Sequence, residues 1–175
     1  MKYKLIFLSI IILYSSDSNA QYLVDENFSG TFTPAGWARH YGYFPVLGTA
    51  NTGAARQDDF GNDPAHPNGK AATINVYGTT INRWLITPVV DLSATSTKQI
   101  QFDIALTNYN VTAQGTLGAD DTVLVAYSTD GGATWSLSQV LKVWTSADNV
   151  PNTGTTVSYD VTSIGSQTNV RFAFY

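Results

Sequence analysis

Residues 99–106, QIQFDIAL, alternate one by one. Ile100, Phe102, Ile104 and Leu106 fall on one side, and Gln101, Asp103 and Ala105 on the other. A period of two suits a strand with one buried face and gives a helix no apolar stripe. The pattern returns in DTVLVAYS (121–128), which sets Val123, Val125 and Tyr127 on one face. It returns again in NVRFAFY (169–175), which turns Val170, Phe172 and Phe174 inward. QYLVDENF (21–28), AATINVY (71–77), NRWLITPVV (82–90), VLKVW (140–144) and TTVSYDVT (155–162) share the β-branched and aromatic composition of strands. Gly, Asn, Asp, Ser and Thr fill the gaps, as turns require. About eight short strands without helical periodicity predict an all-β fold, a two-sheet antiparallel jelly-roll β-sandwich; an up-and-down barrel is the main alternative.

The chain opens with MKYKLIFLSIIILYSSDSNAQ. Lys2 and Lys4 form a basic head. The apolar run over 5–14 is shorter than the ~20 residues of a membrane span. SNA places small residues before a cleavage point after Ala20. Residues 1–20 therefore read as a secretory signal peptide, against the alternative of a buried N-terminal strand or helix, and residues 21–175 as one domain. Cleavage would remove Lys2, Lys4 and Asp17, taking 9 basic and 13 acidic side chains to 7 and 12, and the net charge from −4 to −5. No basic block is present, which disfavours a nucleic-acid partner. No second apolar run is long enough to span a membrane after signal cleavage. With no cysteine, the chain uses neither disulfides nor thiolate-bound zinc.

AYSTDGGATW (126–135) holds Ser128, Asp130, Gly132 and Trp135 at the spacing of the Asp-box of sialidases. The box occurs once, and a propeller needs at least about four blades of four strands. It is therefore expected to be a well-built hairpin turn, its glycines supplying positive φ and its Ser and Asp oxygens holding nearby amides. Only His40 and His66 could act as neutral-range bases. No nucleophile elbow, zincin motif or phosphate loop appears, and no catalytic residue is assigned.

Residues 36–70 form a long stretch rich in Gly, Pro, Asn and Asp, of the kind that either covers a sandwich or carries function. Trp37, Tyr41 and Tyr43 lie in it or beside it. They either plug the end of the sandwich or offer stacking surfaces to a ligand. RQDDFGNDP sets Asp58, Asp59, Asn62 and Asp63 around Gly61. Calcium takes roughly 6–8 oxygen ligands, so these carboxylates are candidate calcium ligands, against the alternative of solvated turns.

The order of motifs adds a resemblance. An acidic residue precedes NFSG; then come TPAGW (33–37), the long loop, NRWLITPVVDLS, IQFDIAL, DTVLVAYSTDGGATW and VRFAF. This resembles the bacterial cleaved-adhesin or choice-of-anchor J domains, which are MAM-like jelly rolls frequent in secreted Bacteroidetes proteins. The resemblance covers nearly all of residues 25–175 and implies a non-catalytic module, secreted or at the cell surface, that binds a surface protein or carbohydrate. The alternative is an accessory N-terminal domain of a secreted peptidase, nuclease or glycosidase. The resemblance also implies structural calcium and adds Glu26 to its ligands. Relatives of this kind continue past VRFAF with another strand, so the expectation is a chain truncated at its C-terminus.

Overall fold

The computed structural model describes residues 3–16, 19–77, 82–94 and 96–175. Lys2 and Asp17, part of the expected signal peptide, lie outside the described residues. The described residues form eleven strands: β1 (Tyr3–Ser16), β2 (Asn19–Glu26), β3 (Ala38–Tyr41), β4 (Arg56–Asp59), β5 (Lys70–Asn75), β6 (Arg83–Ile86), β7 (Thr97–Asn108), β8 (Val123–Ser128), β9 (Val140–Trp144), β10 (Thr155–Asp160) and β11 (Arg171–Phe174). Among the described residues the only helical elements are three short 3-10 turns. Every strand expected from alternation is found. The barrel alternative is not: two antiparallel sheets form, ordered β10-β7-β1-β5-β4, with β2 also paired to β1, and β3-β6-β11-β8-β9.

Alternation explains the packing. Ile100, Phe102, Ile104 and Leu106 of β7 meet Val123 and Val125 of β8 and Phe172 and Phe174 of β11 in one core between the sheets. Phe102 and Phe174 touch edge to face, with ring centroids 5.0 Å apart. Each such fully buried ring contributes a few kcal/mol through lost apolar surface. Strand β8 is buried on both faces, because Leu124 and Ala126 point into a second cluster on the far side of their sheet. Trp84 centres that cluster, with Ile86, Trp135 and Ala173 around it and Phe44, Leu47 and Tyr175 packed against it.

The long stretch over 36–70 is thus partly ordered as β3, β4 and a 3-10 turn (Phe60–Asn62), and its middle covers the outer face of the second sheet. Phe44 stacks on Trp84 at 5.4 Å, and the Trp84 indole donates to the carbonyl of Gly42 at 2.7 Å. The 3-10 turn covers the other sheet, where Phe60 packs on Ala71 and Ala105.

The segment with signal-peptide composition forms β1, in the middle of the first sheet. Its residues 4–7 pair with β5 and, on the opposite edge, with β7; residues 10–16 pair with β2. Along β1 only the backbone and the Lys4 side chain are described. Lys4 is fully buried.

Candidate functional site

The two motifs that carry the family resemblance touch each other. TPAGW closes a turn with the Trp37 amide donating to the Pro34 carbonyl. Gly36 sits at φ +80°, where a β-carbon would come within 3.1 Å of Pro88 in WLITPVVDLS. A side chain there would be strained twice, by its backbone and by the proline ring. Thr87, just before that proline, donates its amide to Phe172 O and accepts the Phe172 amide on its hydroxyl, fixing the end of β6 to β11. Trp37 is buried, edge to face with Phe28 at 5.1 Å.

Tyr41 and Tyr43 stand differently from Trp37. Tyr41 ends β3, and Tyr43 is 64 % exposed on the loop that follows, with Val46 69 % exposed beside it. The backbone beneath them is held. The Tyr41 carbonyl accepts from Gly48 and its amide donates to Thr49 O, while Gly42 donates to Asn82 O. Nearby, Thr33, Arg39, Ala50, Asn51 and Thr52 line an open recess of about 210 Å³. The Arg39 guanidinium, one of its lining groups, donates to Thr52 O at 2.5 Å and Ala55 O at 2.8 Å. Sequence alone pointed to the tyrosines. Arg39 was missed because a lone arginine in a short strand carries no motif.

The carboxylates proposed for calcium are spread over separate contacts. Glu26 Oε1 accepts the Phe28 amide at 2.6 Å. Asp59 pairs with Lys70 at 2.5 Å. Asp63 Oδ1 accepts the Ala65 amide at 2.9 Å. Asp58 Oδ2 takes the Lys4 ammonium at 2.6 Å, and Asn62 Oδ1 takes the same ammonium at 2.5 Å. Among the described residues no three His, Cys, Asp or Glu side chains gather closely enough to hold a metal by themselves. Burial pushes the Asp58 carboxyl up. The Lys4 hydrogen bond, the Asp59 amide and the charges of Lys4 and Arg56 outweigh it, so Asp58 titrates below its ordinary range. The Asn62 amide is spent in turn on Thr107 Oγ1 at 2.6 Å and Val111 O at 2.9 Å.

The Asp130 turn is closed on itself. The Ser128 hydroxyl donates to Asp130 Oδ1 at 2.6 Å and accepts the Gly132 amide at 3.0 Å. Thr134 donates its amide to Oδ1 at 3.0 Å and its hydroxyl to Oδ2 at 2.6 Å. Gly131 and Gly132 have φ of 75° and 88°. Ser128 first, then Thr134, hold the Asp130 carboxyl well below the usual carboxylate range. Trp135 folds back over the turn, its indole donating to Gly132 O at 3.1 Å.

The histidines are likewise engaged. His40 Nδ1 lies 3.0 Å from Gly48 O. His66 accepts the Asn68 amide at Nδ1, which leaves the proton on Nε2, 3.3 Å from Thr153 O. Its ring packs on Phe60 at 4.8 Å.

No helix among the described residues is long and apolar enough to cross a membrane. No curated protein and no solved structure matches the chain. The family description Reelin subrepeat B matches residues 66–175, from the 3-10 turn's far side through β5 to β11. With more than half its length matched, and with a two-sheet sandwich to which those residues give β5 to β11, this chain belongs to the Reelin subrepeat B family.

Proposed function

We propose that the chain is an extracellular, non-catalytic binding module that recognises a surface protein or glycan through the aromatic loop after β3. Membership of the Reelin subrepeat B family supports an extracellular binding module. The observation that carries the finer reading is the presentation of Tyr43. A largely exposed ring sits on backbone pinned by the Trp84–Gly42 hydrogen bond and the Phe44–Trp84 stack. Amphipathic rings held in place lose little entropy on binding, which makes them effective contacts for sugars and protein surfaces. Tyr41 and the Arg39 recess extend the surface. Trp37 would act beneath it, by holding the loop's entry. Kinship with choice-of-anchor J modules is supported by the contact between TPAGW and WLITP. Secretion through cleavage after Ala20 belongs to the same reading.

Screening against immobilised glycans and surface-protein fractions tests it. Tyr43→Ala and Tyr41→Ala should each weaken binding about tenfold, about 1.4 kcal/mol, with the melting temperature unchanged. Binding that survives both substitutions would place recognition elsewhere.

Calcium is proposed as a structural ion of the processed chain. Asp58 and Asn62 already point two oxygens at one cation, the ammonium of Lys4. Removal of residues 1–20 would take that cation away and leave the oxygens to a harder one. Chelation should then lower the melting temperature of the chain lacking residues 1–20 by several degrees if calcium stands ~100-fold above its Kd. Asp58→Asn should erase the response, and identical curves with chelator and with calcium would dismiss the ion.

A further inference from the structure

The place that β1 fills is bounded by two strands that do not touch each other in the ladder. Lys4, Leu5, Ile6 and Phe7 pair with Asn75, Ile74, Thr73 and Ala72 on one side. The same four residues pair with Thr107, Leu106, Ala105 and Ile104 on the other. Both ladders are antiparallel. Taking β1 away strips β5 and β7 of main-chain partners inside a sandwich, where unpaired amides and carbonyls are costly.

Two further observations describe the lining of this gap. First, it holds a cup for a cation, Asp58 and Asn62, which engages an ammonium with no exposure to solvent. Second, β1 satisfies the gap incompletely. Thr73 Oγ1 and Asn75 Oδ1, on residues opposite Ile6 and Lys4, are buried without hydrogen-bond partners. Asn108 Oδ1, opposite Tyr3, is in the same condition. The present occupant therefore uses the ladders and the cup and leaves three oxygens unmet.

We propose that the gap between β5 and β7 is a strand-accepting site whose N-terminal segment is a removable occupant, and that after removal it takes an extended partner peptide, apolar at alternate positions and carrying a basic residue opposite Asn75 and Thr107. This rests on the secretory reading of residues 1–20, because their removal opens the gap. Main-chain hydrogen bonds to both edges supply affinity, and the alternate side chains and the cup supply selectivity. A charge-assisted hydrogen bond in the cup favours Lys over neutral residues. A donor at the position of Ile6 or Tyr3 would meet Thr73 or Asn108.

A chain with a protease site between Ala20 and Gln21 is folded, cut, and mixed with a fluorescent peptide of residues 3–16 bearing a polar tail. The cut protein should bind this peptide saturably, one to one, and the uncut protein at least about tenfold more weakly. A Lys4→Ala peptide, or Asp58→Asn protein with the native peptide, should bind at least about tenfold more weakly as well. Asp130→Asn protein, altered at the self-contained turn, should bind like the native one. If the cut protein unfolds on losing its fragment, refolding on addition of peptide supports the site equally. A cut protein that stays folded and binds nothing, that unfolds irrecoverably with peptide present, or that binds the Lys4→Ala peptide as well as the native one overturns the proposal. N-terminal sequencing of exported protein tests the secretory reading separately. Recovery of Met1 would sink that reading alone, while the peptide measurement would still report on the gap.

Discussion

Asp130 and Asp58 are both acidic side chains held below their ordinary range, and they are held in opposite ways. Every donor to Asp130 lies within four residues of it, on Ser128, Ala133 and Thr134. The principal donor to Asp58 lies 54 residues away, on Lys4. The first carboxylate is satisfied by its own turn, whatever the rest of the chain does. The second depends on the N-terminal segment, for which removal as a leader is our proposal. A motif that closes on itself is structural, whereas an acceptor whose partner can leave is where a new ligand can enter.

The largest expected effect sits away from both. Trp84 is fully buried beneath Phe44 on the outer face of its sheet. Trp84→Ala should cost ~3–5 kcal/mol in urea unfolding. The cost should be the same with or without residues 1–20, since β1 makes no ladder with this sheet. A cost that changes with the N-terminal segment would mean that the two sheets do not respond independently.

Asp58→Asn comes next. In the intact chain it replaces the carboxylate that faces the buried Lys4 ammonium with a neutral amide oxygen. The loss should be about 1–2 kcal/mol, below the full cost of breaking a buried pair because Asp58 is partly exposed. In a chain without residues 1–20, measured without calcium or peptide, the same substitution should cost less, because only the Asp59 amide and the Arg56 charge then remain on Asp58. An equal cost in both chains would mean that Asp58 is as self-contained as Asp130.

Asp130→Ala should cost about 0.5–2 kcal/mol, as lost helix caps do. Because its folded value is depressed, its contribution is complete above the unfolded value, about 3.9, and is lost as pH falls through the folded one. Native and variant stabilities should therefore converge in acid below about pH 4. A difference as large at pH 2 as at pH 5 would point to packing rather than charge. The smallest effect belongs to Lys70→Ala at the surface pair with Asp59, expected within about 1 kcal/mol and reduced by salt.

The strands of the sandwich were legible because each inner face writes itself at a period of two, as in Ile100 to Leu106 and Val170 to Phe174. Strands β3 and β4 were not. ARHY and RQDD are four residues each, RQDD has no apolar side chain, and both lie at sheet edges, where charged residues are favoured. The apolar run over 5–14 suits a buried strand as well as the leader that the basic head and SNA point to, since both demand the same composition. The cover over Trp84 was hidden because Phe44 and Leu47 sit in irregular backbone, where no period marks which residue faces inward. At the candidate surface the exposed tyrosines were readable as residues, while Trp37 went to the core through its contact with Phe28. The Lys4 cup joins residues 54 and 58 positions apart, a closeness that only the folded sheet creates.

Amide hydrogen exchange on the chain before and after removal of residues 1–20 addresses the dependence of one sheet on that segment most directly. Protection should fall sharply at β5 and along β7 opposite residues 4–7, and stay unchanged at β6, β8 and β11. Adding the peptide of residues 3–16 should restore it. Protection of β5 and β7 that is the same with and without the segment would contradict the account, because it would show the sheet already complete without β1.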